Sequence, residues 1–457
     1  MHRLMHKLLF AKVEFWLVLL LMLVGLLGLV GFGALVLDGT RRDGGRLGAV
    51  STTAVAMAKI PYTIRDLSRA DASMAANLPM RFATKPAGWS FAAGDPLPGY
   101  LLLSRYDGDR ARHVVELVAL ADGTVLHQWW PDADSLLPEP PADPRLTNIN
   151  NWNTRRFRAI HPALNGDGEL LIKDHYSVLL GLDACARRAW LQDAAYFHHS
   201  TEPDGQGGFW SPALMAPQTV DEVPADFFED ALAHVDGAGR LLSQRSLTKV
   251  FLDHGLEYLI FAHKKYMQDP LHLNDIQPVL ADGPHWKKGD LFLSLRALSI
   301  VMLYRPATDE ILWMKQGPWM SQHDVDILDD RRIAIFDNHA YDRGHGIRVR
   351  GSNQIAVYDF ETGEVSYPWN AALTAADVKT PLEGLFTILP NGSLMVEEEN
   401  FGRLLIFSPD GEVRAEFVNK GADGRAYRMG WSRHLSPDKG DAALARLKGV
   451  ECAGDDT

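Results

Sequence analysis

Four histidines recur at matching places in the chain. His161, His199, His272 and His323 each stand just ahead of a short apolar run that reads as the first strand of a repeating unit. A neutral imidazole is a competent nucleophile or proton acceptor near pH 7, which a serine without a partner base is not. Two further residues near them suit an oxyanion: Asn274 in His272-Leu-Asn274-Asp275, and Arg296 at the end of Leu291-Phe-Leu-Ser-Leu-Arg296. The guanidinium offers a planar fork for two oxygens, and the amide a neutral donor. The plain alternative is that a histidine at a strand entrance only bonds a neighbouring carbonyl. Shared register argues for more: equivalent positions in stacked repeats would bring all four to one opening.

The elements that must position them are short strands. Two successive copies are clearest. One runs from His272 through Leu291–Arg296, Ile300–Tyr304 and Asp309–Trp313; the next runs from His323 through Ile333–Phe336, Ile355–Tyr358 and Thr362–Val365. Others start at Gly99, at His161 and at His198-His199, and a last one spans Leu389 to Gly411. Asp122-Gly123 and similar pairs between apolar runs are hairpin signals, since tight turns need positive φ. The runs are too short and glycine-broken for helical repeats. A strand unit of this size buries both faces only by stacking on copies of itself. The expectation is an all-β fold, a six-bladed β-propeller over residues 96–435, with a surface loop inserted at Pro212–Glu229.

The chain has 457 residues, 46% of them hydrophobic, and a net charge of -12. That balance speaks against a nucleic-acid binder, which carries a basic face. Its two cysteines, Cys185 and Cys452, make neither a disulfide scaffold nor a thiolate metal site, and their pairing is left open. Phe15–Leu37 is an uncharged stretch long enough to cross a bilayer and longer than a secretory signal core, so a single transmembrane helix is expected there. Arg3, Lys7 and Lys12 favour a cytoplasmic segment 1–14 and an exported body, on the periplasmic or extracytoplasmic side, although Arg41, Arg42 and Arg46 pull the other way. Gly25, Gly28, Gly31 and Gly33 suit a homodimer or an ordinary span equally well. Residues 38–95 read as a stalk with a short helix around Ile64–Met80, and 436–457 as a polar tail. Arg155, Arg156 and Arg158 read as surface charge, and Glu397–Glu399 as a polar strand end. His339, Arg343, His345 and Arg348 sit in an inserted hairpin, Asn338–Gly351, read as a solvated loop. No nucleotide loop, dinucleotide fingerprint, serine triad elbow or zinc spacing appears in a fitting context.

With these residues in view, the chain resembles the arylsulfate sulfotransferase family, exported bacterial six-bladed propellers. The resemblance covers roughly Gly99 to Val418. It is carried by His272-x-Asn274, by Ser294-Leu-Arg296, by Gln322-His323-Asp324 with its Asp337-Asn338 strand, and by His198-His199. It implies that His323 takes the sulfuryl group as an N-sulfated intermediate. His272, Asn274 and Arg296 would bind the sulfate oxygens, and His199 would assist as acid or base; His198 is the alternative to His199. The expected partners are an aryl sulfate donor and a phenolic acceptor, with no metal, cofactor or nucleotide donor. Two departures stand out: the Gly283–Lys288 segment widens the spacing from His272 to Arg296, and there is no large N-terminal β-domain. A metal-dependent hydrolase using Asn274, Asp275, Asp324 and Asp326 is one rival, and a non-catalytic ligand-binding propeller the other.

Overall fold

Hydrogen bonding between strands follows the repeats in the computed structural model, which describes residues 14–40, 45–67, 74–75, 81–146, 149, 151–263, 265–450 and 452. The chain divides into two compact units, residues 1–69 with 224–226, and residues 70–223 with 227–457.

The first unit contains the helices Phe15–Gly39 and Ala49–Leu67. Phe15–Gly39 has no buried residue and is the one described helix long and apolar enough to cross a membrane. Asp38 closes the turn between them, accepting from the Arg46 and Leu47 amides and the Ser51 hydroxyl. The expected helix at Ile64–Met80 falls largely outside the described residues, and the helix observed here lies earlier.

The second unit is all-β and propeller-like. Four of its sheets have the size of one blade: three are four-stranded and one five-stranded. Expecting six separate sheets needs correcting, because two repeats share one eight-stranded sheet. The strand Phe209–Leu214 turns along its predecessor, pairing Ala213 with Phe197 and Leu214 with Tyr196. That pairing also places Pro212 in a strand, not in the surface loop expected from Pro212 onward.

Apolar clusters join the strand groups in cyclic order. Leu293 and Met302 pack with Leu232 of the preceding group, and Phe292 and Val301 with Val325 and Ile333 of the next. Phe336 and Ile355 then meet Phe386 and Val396, Met395 and Ile406 meet Leu101 and Val118, and Leu102 and Val115 meet Leu170 and Ile172. Burial of each such side chain contributes about 1.5–3 kcal/mol, so the stacked faces supply the cohesion that a single sheet lacks.

Closure comes from the C-terminus. Arg433–Leu435 pairs antiparallel with Tyr100–Leu102 and becomes the first strand of the sheet whose other strands lie near the N-terminal end of the unit. The strand read from sequence as first there, at Gly99–Leu103, is therefore second. Gly88–Phe91, assigned to the stalk, adds a fifth strand along Val413–Val418. The polar tail is also corrected: Pro437–Leu447 is a helix whose Ala443 and Leu447 enter a core cluster, and Cys452 is disulfide-bonded to Cys185.

Candidate functional site

An antiparallel meander places the entrance of its first strand and the turn between its second and third strands at the same end. His272 stands at such an entrance, before Leu273–Pro278, and Arg296 opens the turn between Leu291–Leu295 and Ile300–Arg305. The Arg296 amide donates to the His272 carbonyl at 3.0 Å. The Gly283–Lys288 insertion lies in the turn at the opposite end, so Leu273 still pairs with Leu295 and the widened spacing leaves the site undisturbed. Each strand entrance carries a non-glycine residue in the left-handed region: His161 at φ 46°, His199 at 50°, His272 at 52°, Ser321 at 54°, Glu383 at 57° and Trp431 at 58°. Such conformations cost about 1–3 kcal/mol each and persist only where the surroundings impose them.

These entrances bring three of the four histidines together. The His199 ring lies 5.1 Å from that of His272 and 6.2 Å from that of His323, centroid to centroid. Trp431 borders both His199 and His323, at 6.1 and 6.2 Å. His161 lies across Trp431, at 5.6 Å, and its ring is engaged by Arg433 and the Thr201 amide; it takes the plain structural role. Burial, followed by the Arg296 charge, holds His323 well below the usual imidazole range, and burial with His175 and His198 does the same for His199. Both rings are thus neutral at pH 7.

His323 is fixed at both nitrogens. Nδ1 lies 2.7 Å from the Asn338 side-chain oxygen, whose amide nitrogen donates to the Thr380 and Glu383 carbonyls. That places the ring proton on Nδ1 and the lone pair on Nε2, which accepts the Glu383 amide at 2.9 Å. His272 Nδ1 is bonded to the Asp269 carboxylate. The Arg296 guanidinium has no ion pair or side-chain hydrogen bond among the described residues, and its Nε is buried without a partner. Burial lowers its pKa while Asp269, Glu383 and Tyr176 oppose that, so these acids face it. Asn274 is fully buried and donates to the Gln322 carbonyl, leaving its oxygen without a partner. That bond uses one of its two amide hydrogens.

Sequence reasoning missed a second set. Arg158, read as surface charge, bridges Glu383 at 3.1 Å and Glu399 at 2.8 Å, and His175 bonds Glu383 at 2.8 Å. Burial would raise Glu383, but Arg158 holds it well below the usual carboxylate range; burial and the adjoining Glu383 push Glu399 up. The His175 ring lies 4.4 Å from that of His199, tilted by 59°. A signal was present: His175 follows Leu170–Ile172 in the same kind of turn that carries Arg296, and Glu383 precedes its strand as His272 does. Glu397–Glu399 is likewise no exposed strand end, because all three side chains are buried. His339, Arg343, His345 and Arg348 do lie on or beside a small two-stranded hairpin, as read.

Two of the acids proposed for a metal are each tied by one oxygen to a backbone amide. Asp275 accepts the Val325 amide at 3.1 Å and Asp324 the Phe386 amide at 3.1 Å, each stitching one first strand to the next. Burial with Glu202 raises Asp326 to about 7, and burial raises Asp275 and Asp324 as well. Among the described residues no group of three or more His, Cys, Asp or Glu has metal-holding geometry.

No curated protein matches the chain. Among solved structures, a protein of unknown function from Bacteroides caccae aligns at 13% identity, covering 73% of this chain and 98% of its own, with TM-score 0.43. The WD40 β-propeller domain of Doa1 aligns at 12% identity, 75% and 95% coverage and TM-score 0.37. A sequence model described as arylsulfotransferase (ASST) matches residues 167–420, a span that holds His199, His272, Arg296, His323 and Glu383. It takes in more than half of the chain, which therefore belongs to the arylsulfotransferase family.

Proposed function

We propose that the protein is a membrane-anchored aryl-sulfate sulfotransferase that moves a sulfuryl group from an aryl sulfate to a phenol through an N-sulfated His323, without a nucleotide donor. The observation that carries this reading is the unpaired Arg296 guanidinium facing a neutral His323 imidazole. Sulfuryl transfer passes through a loose transition state, so positioning and stabilisation of the non-bridging oxygens dominate. In the first half-reaction Nε2 of His323 attacks sulfur, the S–O(aryl) bond breaks, and the pair leaves on the phenolate oxygen. The Glu383 amide must release Nε2 for this, and would then point at the arriving sulfuryl group. Arg296 and His272 hold its oxygens, and His199 handles the phenol proton.

Several observations support the finer calls. Reading the eight-stranded sheet as two blades gives six, which agrees with six left-handed strand entrances and with cores that join in a closed cycle. An uncleaved anchor in Phe15–Gly39 and an exported body fit a disulfide between Cys185 and Cys452, because disulfides persist in oxidising compartments.

The test is to incubate the purified protein with a nitrophenyl sulfate. A burst of nitrophenolate and a sulfuryl adduct on the His323 peptide by mass spectrometry are expected; neither appearing with folded protein would overturn the reading. A non-catalytic anion binder is the second reading, favoured by the Glu383 amide already occupying Nε2. His323→Asn separates the two: a binder keeps its affinity for aryl sulfate, whereas the enzyme loses the burst and the adduct.

A further inference from the structure

The neighbour of His199 is buried as deeply as the site itself, and its partners form a chain. His198 Nδ1 lies 2.8 Å from His199 Nδ1, so one ring donates and the other accepts. On its far side His198 Nε2 lies 3.4 Å from Asp230 Oδ1, an ion-pair distance without a formed hydrogen bond, and both atoms are buried with no hydrogen-bond partner among the described residues. Asp230 is anchored by its other oxygen, which accepts the Leu273 amide at 2.8 Å. Exposure of His198 and Asp230 is 1% each. Solvent therefore has no ready path to the proton between them.

We propose that Asp230, His198 and His199 form a relay that lends one proton to the first half-reaction and recovers it in the second. This deepens the sulfotransferase reading and rests on it. At rest the proton sits on Asp230 Oδ1 and points at His198 Nε2. That makes His198 Nδ1–H the donor to His199 Nδ1 and leaves Nε2–H of His199 directed at the site. As the aryl S–O bond breaks, the leaving oxygen takes the His199 Nε2 proton, His199 Nδ1 takes the His198 proton, and His198 Nε2 takes the Asp230 proton. Both imidazoles finish neutral in the opposite tautomer, and Asp230 finishes ionised. In the second half the acceptor phenol gives its proton to His199 Nε2. Its oxygen attacks sulfur, the N–S bond breaks with its pair returning to His323, and the relay runs back. One proton is lent and one returned, so the cycle needs no exchange with solvent.

The charges around the chain fit. Burial and the Asp269 carboxylate raise Asp230 well above the usual range, which favours its protonated form. Burial, then His272, lowers His198 to about 3, so it does not become trapped as a cation. Facing the pair are Tyr176, whose tilted ring lies 4.8 Å from that of His198, and Lys173, Asp269, His175, His272 and His323 from neighbouring elements.

Asp230→Asn is the decisive variant, because its amide oxygen still accepts from Leu273 while it can no longer pass a proton. The full-length protein would be assayed with aryl sulfates of rising leaving-group pKa, from nitrophenyl to phenyl. The expected loss grows along the series from a few-fold to about 100-fold, the usual scale of general acid–base help. His198→Phe should follow the same trend. Wild type with phenyl sulfate should show a solvent deuterium effect from more than one transferring proton, and Asp230→Asn should lose it. A loss equal for all leaving groups, or no loss, overturns the relay while leaving the transferase reading intact. Absence of nitrophenolate release from wild type removes both.

Discussion

The strand entrances and the strand interiors of this propeller-like unit use polar side chains for opposite ends. At the entrances, His199 and His323 keep neutral rings near an unpaired Arg296, while the nearby carboxylates of Glu383 and Glu399 are bridged by Arg158. Three residues after His272 and one after His323, Asp275 and Asp324 each give an oxygen to a backbone amide of the next strand, and Glu202, Asp324 and Asp326 border a cavity of about 120 Å³. The lesson is that burial alone does not mark a functional group. What distinguishes the entrance is a cation left without a partner beside imidazoles that burial keeps unprotonated, an arrangement that costs stability unless an anion completes it.

This contrast can be broken by substitution. The largest effect is expected from His323→Asn, which should abolish the nitrophenolate burst altogether. Arg296→Ala should lower the burst rate about 100- to 1000-fold, the scale of losing one preorganised oxyanion donor. Arg296→Lys should recover only part, because an ammonium cannot span two oxygens. Thermal unfolding of both variants should match wild type or exceed it. Asp324→Ala should do the reverse: unfolding measurements should show about 1–3 kcal/mol lost through the stranded Phe386 amide, while activity per folded molecule is kept. A loss of activity there with stability retained would erase the division between the two regions.

Two further effects sharpen it. Arg158→Met should leave Glu383 and Glu399 facing each other without a cation, and a buried pair broken on one side costs about 3–5 kcal/mol. The reactive form of His323 is neutral and its pKa is lowered, so the active form persists as pH falls through 6.5 and is lost only below that. The burst rate should therefore stay level from pH 7.5 to about 6. A drop centred near 6.5 would show an imidazole in ordinary solvent contact.

The His-headed units, the apolar N-terminal helix and the family were legible in the residues themselves. Short apolar runs broken by turn residues dictate strands, and a repeat that recurs in register fixes which positions are equivalent. His199, His272, His323 and Arg296 could be selected on that basis alone. Arg158 and Asp230 could not, because their partners lie far away in the chain and a charged residue read locally looks solvated, whereas His175 and Glu383 stand at equivalent register positions and were open to the same selection. The contact of Asn274 with the Gln322 carbonyl of the neighbouring repeat was hidden for the same reason. Only the tertiary structure decided that the C-terminal Arg433–Leu435 closes the unit on Tyr100–Leu102, that Cys185 meets Cys452, and which nitrogen of His323 keeps its lone pair. Register along the chain sets which residues can point the same way; contacts between chain-distant strands set the charge and the proton that each one carries.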